Sequence, residues 1–161
     1  MIKVGDKLPA FTFFTPTADG GKAEVTTDAV FAGKTVVLVA VPGAFTPTCS
    51  KTHVPGFIDK YEAIRAKGVD AIAVTAVNDV YVMGAWQSTL GAGDKITFLA
   101  DGSALFAKAI GLDLDLTGGG LGVRSARYAA IVKDGVVTEL QVEENAGLAT
   151  CSAAPSILDK L

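Results

Sequence analysis

Apolar positions along this chain come in short β-branched runs separated by stretches of helical spacing. "TVVLVAV" (35–41) is continuously apolar and breaks at Pro42-Gly43. Such a run predicts a strand buried on both faces. "VDAIAVTAV" (69–77) and "ITFLA" (96–100) predict two more of the same kind. "RYAAIV" (127–132) and "VVTELQV" (136–142) flank Lys133-Asp134-Gly135, a hairpin signal. "FTFFT" and "KAEVT" flank Gly20-Gly21 as a second, smaller hairpin.

Helices fill the intervals. Phe57, Tyr61 and Ile64 recur at helical spacing in a run from Cys49 to about Lys67, and Gly68 stops it. A second helix is predicted over 80–90, capped by Asn78 or Asp79, a third over 103–110 and a fourth over 152–161. Strand–helix alternation implies parallel pairing by crossover, and the late hairpin adds antiparallel strands. The expected fold is α/β, a mixed central sheet with helices on both faces, which resembles the thioredoxin architecture with additions. "DLTGGGLGV" (115–123) does not follow a strand and open a helix, so it is read as a flexible loop and not as a phosphate cradle.

Composition narrows the classes. With 161 residues, half of them hydrophobic, the chain is long enough for a core of its own and is expected to form one domain over 1–161. A net charge of −3 with no basic stripe excludes an electrostatic case for nucleic acid. No apolar run reaches a membrane span, and "MIKVGDKLPA" has no secretory h-region, so a cytoplasmic protein is expected. Two cysteines and one histidine offer neither a disulfide scaffold nor a metal centre.

Chemistry concentrates at "VPGAFTPTCS" (41–50). Cys49 follows a buried strand and opens a helix, where free N–H groups and the helix dipole favour thiolate, the reactive species. A thioredoxin-type exchanger carries C-x-x-C at such a junction. Here the first position is Thr46, so the neighbouring sulfur is absent and a hydroxyl remains. That hydroxyl suits a sulfur attacking an O–O bond, and the ring of Pro42, which has no N–H, can shield it.

Pro42-x-x-x-Thr46-x-x-Cys49 resembles the P-x-x-x-T-x-x-C signature of peroxiredoxins, and "PGAFTPTCSKTHVPGF" (42–57) looks like its type II and type V branch. "GDKLPAF", "AVNDVYVMGAW" (76–86), "RSARYAAIVKDG" (124–135) and "CSAAPSILDKL" (151–161) follow in family order, so the resemblance covers nearly the whole chain. It implies a thiol peroxidase acting on hydrogen peroxide and alkyl hydroperoxides through a Cys49 sulfenic acid. Thr46 would bind the peroxide, and Arg127, rather than Arg124, would supply a guanidinium for the thiolate and the departing oxygen. The two arginines are an odd number of positions apart, so in a regular strand only one points at Cys49.

His53, four residues after Cys49, is expected to be packed or hydrogen-bonded, with a Cys–His nucleophilic pair as the alternative. Cys151 resembles the resolving cysteine of the type V branch, which closes a disulfide within one chain and is recycled by thioredoxin. The alternative is a spare cysteine with glutathione and glutaredoxin resolving. No prosthetic cofactor is implied. The resemblance also implies a homodimer built from Thr46–Thr48, Val80–Trp86 and the "LTGGGLG" segment. A disulfide carrier and a non-catalytic redox sensor are the competing classes; the missing C-x-x-C argues against the first.

Overall fold

The computed structural model describes residues 1–161. Strands β1 (Thr12–Pro16), β2 (Lys22–Thr26), β3 (Thr35–Val41), β4 (Ala71–Ala76) and β5 (Thr97–Ala100) are joined by β8 (Tyr128–Lys133) and β9 (Val136–Val142) in one sheet. Its order is β2-β1-β5-β4-β3-β8-β9. The β3–β4 and β4–β5 pairs are parallel, and β3–β8 and β8–β9 are antiparallel. This is the mixed sheet that the alternation predicts. The β8–β9 turn places Asp134 and Gly135 at φ +49 and +78, the paired left-handed geometry of a tight hairpin.

Both faces of β3 are buried because side chains alternate across the sheet. Val37, Val39 and Val41 pack with Phe57, Met83, Trp86 and Ile157. Val36, Leu38 and Ala40 pack with Phe31, Phe106 and Ile110 on the opposite side. The first cluster is covered by α2 (Val54–Asp59), α4 (Val80–Leu90) and α6 (Ala154–Leu158), the second by α1 (Thr27–Phe31) and α5 (Leu105–Ala109). Full burial of each Val, Leu, Ile, Phe or Met side chain among these stabilises the fold by roughly 1.5–3 kcal/mol.

Several expectations need correction. The run 49–67 is not one helix. A π-helical turn, Cys49–His53, precedes α2, and Lys60 separates α2 from α3 (Tyr61–Ala66). Val54 N–H reaches back to Cys49 O, five residues away, and Pro55 in the next position has no N–H to restore the α-helical ladder. The terminal helix is shorter than predicted, and α1 was not anticipated. Asp79, not Asn78, caps α4, accepting from Val82 N–H at 2.8 Å. The glycine-rich segment is more ordered in secondary structure than the loop expected of it. Its flanks form a two-stranded sheet, β6 (Asp113–Leu116) with β7 (Gly122–Ser125), closed by a short 3-10 turn at Thr117–Gly119.

Candidate active site

The main chain leaves β3 at Val41, turns through Pro42-Gly43, and is pinned by Asn78, whose side-chain oxygen accepts from Ala44 N–H at 2.9 Å. Phe45 follows with φ +63, a conformation that costs a non-glycine residue about 1 kcal/mol or more. Gly43 leaves room for two side chains here. A Cβ would lie 2.6 Å from Arg124 Nη1 and 3.0 Å from Thr46 Cγ2. The Thr46 hydroxyl donates to Gly43 O at 2.7 Å, so its oxygen lone pairs are what it can offer a ligand. Thr48 donates to Gly147 O at 2.7 Å, fastening this turn to the distant 143–152 segment.

Cys49 begins the π-helical turn and is 0% exposed. Its sulfur accepts a hydrogen bond from Arg127 Nη2 at 3.1 Å. The guanidinium, 2% exposed, also donates from Nε to Ala146 O at 2.9 Å and contacts His53 Nδ1 through Nη1 at 2.8 Å. Of its five N–H groups, one on each Nη remains uncommitted by these three bonds. A cationic planar fork beside a sulfur lowers the cost of negative charge there.

Arg124 lies near the same turn but not on the sulfur: its Nη1 donates to Pro42 O at 3.2 Å. Strand alternation does not decide between the two, because Arg124 and Arg127 do not share a regular strand. Arg124 is in β7, β8 begins at Tyr128, and between them Ala126 N–H bonds Leu112 O at 2.8 Å.

A cleft of about 780 Å³ opens onto this cluster. Pro42, Thr46 and Arg127 line it, with Leu114, Leu116 and Leu121 of the β6–β7 hairpin and Glu143 of the 143–152 segment; Cys49 lies behind this lining. A second cleft of about 790 Å³ lies between the β1–β2 turn and α4, away from Cys49, and gathers none of these groups.

Cys151 and Cys49 are both free thiols with separate partners. The Cys151 thiol donates to Val142 O at 3.6 Å, and burial, then the Glu143 charge, pushes its pKa up. Glu143 was not anticipated. Its Oε1 accepts from Thr150 N–H (2.6 Å), Ser152 N–H (2.9 Å) and Ser152 Oγ (2.7 Å), and its Oε2 from Thr150 Oγ1 (2.8 Å). Partial burial opposes its ionisation, but these four bonds prevail and hold its pKa near 2. A clue lay in Asn145-Ala146-Gly147, turn-forming residues that fold Glu143 back onto 150–152; Asn145 Oδ1 accepts from Gly147 N–H at 2.9 Å. His53, 1% exposed, is hydrogen-bonded as expected, with Ser152 O at 3.0 Å from Nε2 and Arg127 on the other nitrogen.

The chain matches the Redoxin family over residues 3–158. It is 52% identical to peroxiredoxin-2E-2, chloroplastic, from Oryza sativa subsp. japonica, covering 94% of this chain and 69% of that one. It is 48% identical to peroxiredoxin-2E, chloroplastic, from Arabidopsis thaliana, covering 99% and 69%. The chain belongs to the peroxiredoxins. Among solved structures, reduced Prx3 from Vibrio vulnificus in complex with H2O2 superposes with a TM-score of 0.93 at 48% identity, covering 99% of each chain. This peroxiredoxin is therefore a thiol peroxidase of thioredoxin-like fold, and peroxiredoxins work without a prosthetic group. No cluster of three His, Cys, Asp or Glu is placed to hold a metal ion, and no helix is long and apolar enough to cross a membrane. The expectation of a cytoplasmic protein does not stand, since the two plant relatives are chloroplastic.

Proposed function

We propose that residues 1–161 act as one catalytic domain in which Cys49 is the peroxidatic nucleophile, Thr46 and Arg127 bind the hydroperoxide, and Cys151 resolves the product. The observation that carries this reading is the 3.1 Å contact from Arg127 to the buried Cys49 Sγ, Arg127 and Thr46 both lining the adjacent cleft. The Cys49 thiolate attacks the hydroxyl oxygen of ROOH. An S–O bond forms, the O–O bond breaks, and RO⁻ leaves to take a proton from solvent, giving Cys49–SOH and ROH. Thr46 Oγ1, already donating to Gly43 O, accepts the peroxide proton's hydrogen bond. The N–H groups of the two Arg127 Nη atoms left unbonded are the donors available to the oxygen that gains charge. Pro42 lines the same cleft. Hydrogen peroxide, the ligand of the Vibrio vulnificus relative, is the simplest substrate, and the leucine wall suits alkyl hydroperoxides.

Cys151 thiol then condenses with Cys49–SOH to a disulfide and water, once the 143–152 segment moves. A dithiol of the thioredoxin type reduces it; without that linkage, glutathione and glutaredoxin would serve. Exposed Phe45, Tyr81, Leu121 and Val123 lie in or beside the segments assigned above to a homodimer contact, which supports that assembly.

The test is intact mass spectrometry after one equivalent of hydrogen peroxide. Wild type should lose two hydrogens and Cys151→Ser should gain one oxygen. Cys49→Ser should not react. Oxygen retained on wild type would reject Cys151 as resolver, and reaction of Cys49→Ser would reject Cys49.

A further inference from the structure

His53 has both ring nitrogens committed, and the chemistry of its partners fixes the tautomer. Ser152 O is a carbonyl and can only accept, so Nε2, 3.0 Å away, carries the hydrogen. A guanidinium can only donate, so Nδ1, 2.8 Å from Arg127 Nη1, is the bare acceptor. This excludes the Cys–His alternative. The lone pair that a general base would use already holds Arg127. Phe57 packs against the ring with centroids 5.8 Å apart, and His53 is almost fully buried, so the ring is held in this orientation.

A buried arginine needs acceptors, and a carboxylate is the usual one. At this position a carboxylate would offset the positive charge that Cys49 and the departing oxygen need. A neutral imidazole anchors the guanidinium and leaves its charge whole. Ala146 O, the third partner, is neutral too. We propose that His53 is a positioning residue for peroxide reduction, its neutral Nε2–H form holding the Arg127 guanidinium against Cys49 without cancelling its charge.

The surroundings agree. Burial, and secondarily the Arg127 charge, push the His53 pKa down to about 4, against the opposing pull of the Ser152 carbonyl and Glu143, so the ring is neutral at physiological pH. Arg127 and Glu143 are the charged groups that act on it.

The inference rests on Cys49 being the nucleophile, and two isosteric substitutions separate it from mere packing. His53→Asn places its amide oxygen where Nδ1 was and keeps an acceptor for Arg127, but cannot reach Ser152. His53→Gln places its amide nitrogen where Nε2 was and keeps the donor to Ser152, but gives up the acceptor at Nδ1. Single-turnover reduction of hydrogen peroxide is followed by stopped flow, with the ultraviolet thiolate signal of Cys49 at neutral pH and the thermal midpoint measured on the same samples. His53→Gln should be slower by about tenfold to a hundredfold, the cost of a misplaced catalytic group, with a weaker thiolate signal. His53→Asn should recover most of that rate, within about threefold of wild type by the same measure. Equal losses in both, or a wild-type rate in His53→Gln, would overturn the proposal. An active Cys49→Ser control would sink the underlying reading with it, whereas an inert control beside equal His53 variants would sink the positioning role alone.

Discussion

Glu143 ties down the segment that carries Cys151, so removing its carboxylate should loosen that segment selectively. In Glu143→Ala, four hydrogen bonds from Thr150 and Ser152 lose their acceptor. The magnitude follows from proton linkage. The Glu143 pKa falls from 4.5 to about 2 on folding, which for a fully shielded group would be about 3 kcal/mol. Glu143 is only partly buried, so solvent screening reduces this to about 1–2 kcal/mol. That corresponds to a roughly 5–30-fold larger population of locally open chain. The sign is set by the depressed pKa. The stabilisation is complete above pH 4.5 and is lost as pH falls from 4.5 towards 2. Alkylation of Cys151 by iodoacetamide in a Cys49→Ser background reads the opening. Glu143→Ala should accelerate it by at least the opening factor, since removing the negative neighbour also eases ionisation of the thiol. Hydrogen exchange at the Thr150 and Ser152 amides supplies the pH arm. Protection in wild type should fall across pH 4.5 to 2 and should lack that dependence in Glu143→Ala. Unchanged alkylation, together with protection that does not vary with pH, would refute the clamp.

Two further outcomes are expected. Thr46→Val keeps the shape of the side chain but removes the acceptor oxygen, and should slow the reaction with hydrogen peroxide about tenfold, one hydrogen bond's worth, in stopped flow; a rate near wild type would remove Thr46 from peroxide binding. Thr75 Oγ1 is a buried hydroxyl without a hydrogen-bond partner, so Thr75→Val should stabilise the protein by about 1 kcal/mol, raising the calorimetric midpoint by roughly 2–4 °C; an unchanged or lower midpoint would show that the hydroxyl is satisfied.

What could be read from the residues beforehand follows from how local each signal is. β3 was legible because a β-branched run buried on both faces needs no context to be recognised. The same holds for the Asp134-Gly135 hairpin and for α4, whose cap the residues narrowed to Asn78 or Asp79. Helix α1 has five residues, too few to show a period, though Thr26 caps it. The β6–β7 hairpin was hidden by the glycines at its tip, even though Asp113, Leu114, Asp115 and Leu116 alternate as a strand should. At the site, Cys49, Thr46 and Arg127 could be named from the motif and its resemblance. Their arrangement could not. The His53–Arg127 bond spans 74 positions and the His53–Ser152 bond 99, and only the packing of β8 and the 143–152 segment around the π-helical turn creates them.

That packing also explains why the two thiols need not behave alike. Cys49 has a guanidinium on its sulfur, and Cys151 has a carboxylate clamped across the residues on either side of it. A chain of hydrogen bonds through neutral groups, the His53 ring and the Ser152 peptide, links the two charges. Had Arg127 been anchored directly by Glu143, the two charges would have been spent on each other, and neither sulfur would have felt a distinct field. Spacing them by a neutral imidazole leaves the positive charge beside the sulfur that, in the proposed mechanism, attacks the peroxide. It leaves the negative charge beside Cys151, which keeps that thiol protonated until, in the proposed mechanism, a sulfenic acid is there to receive it.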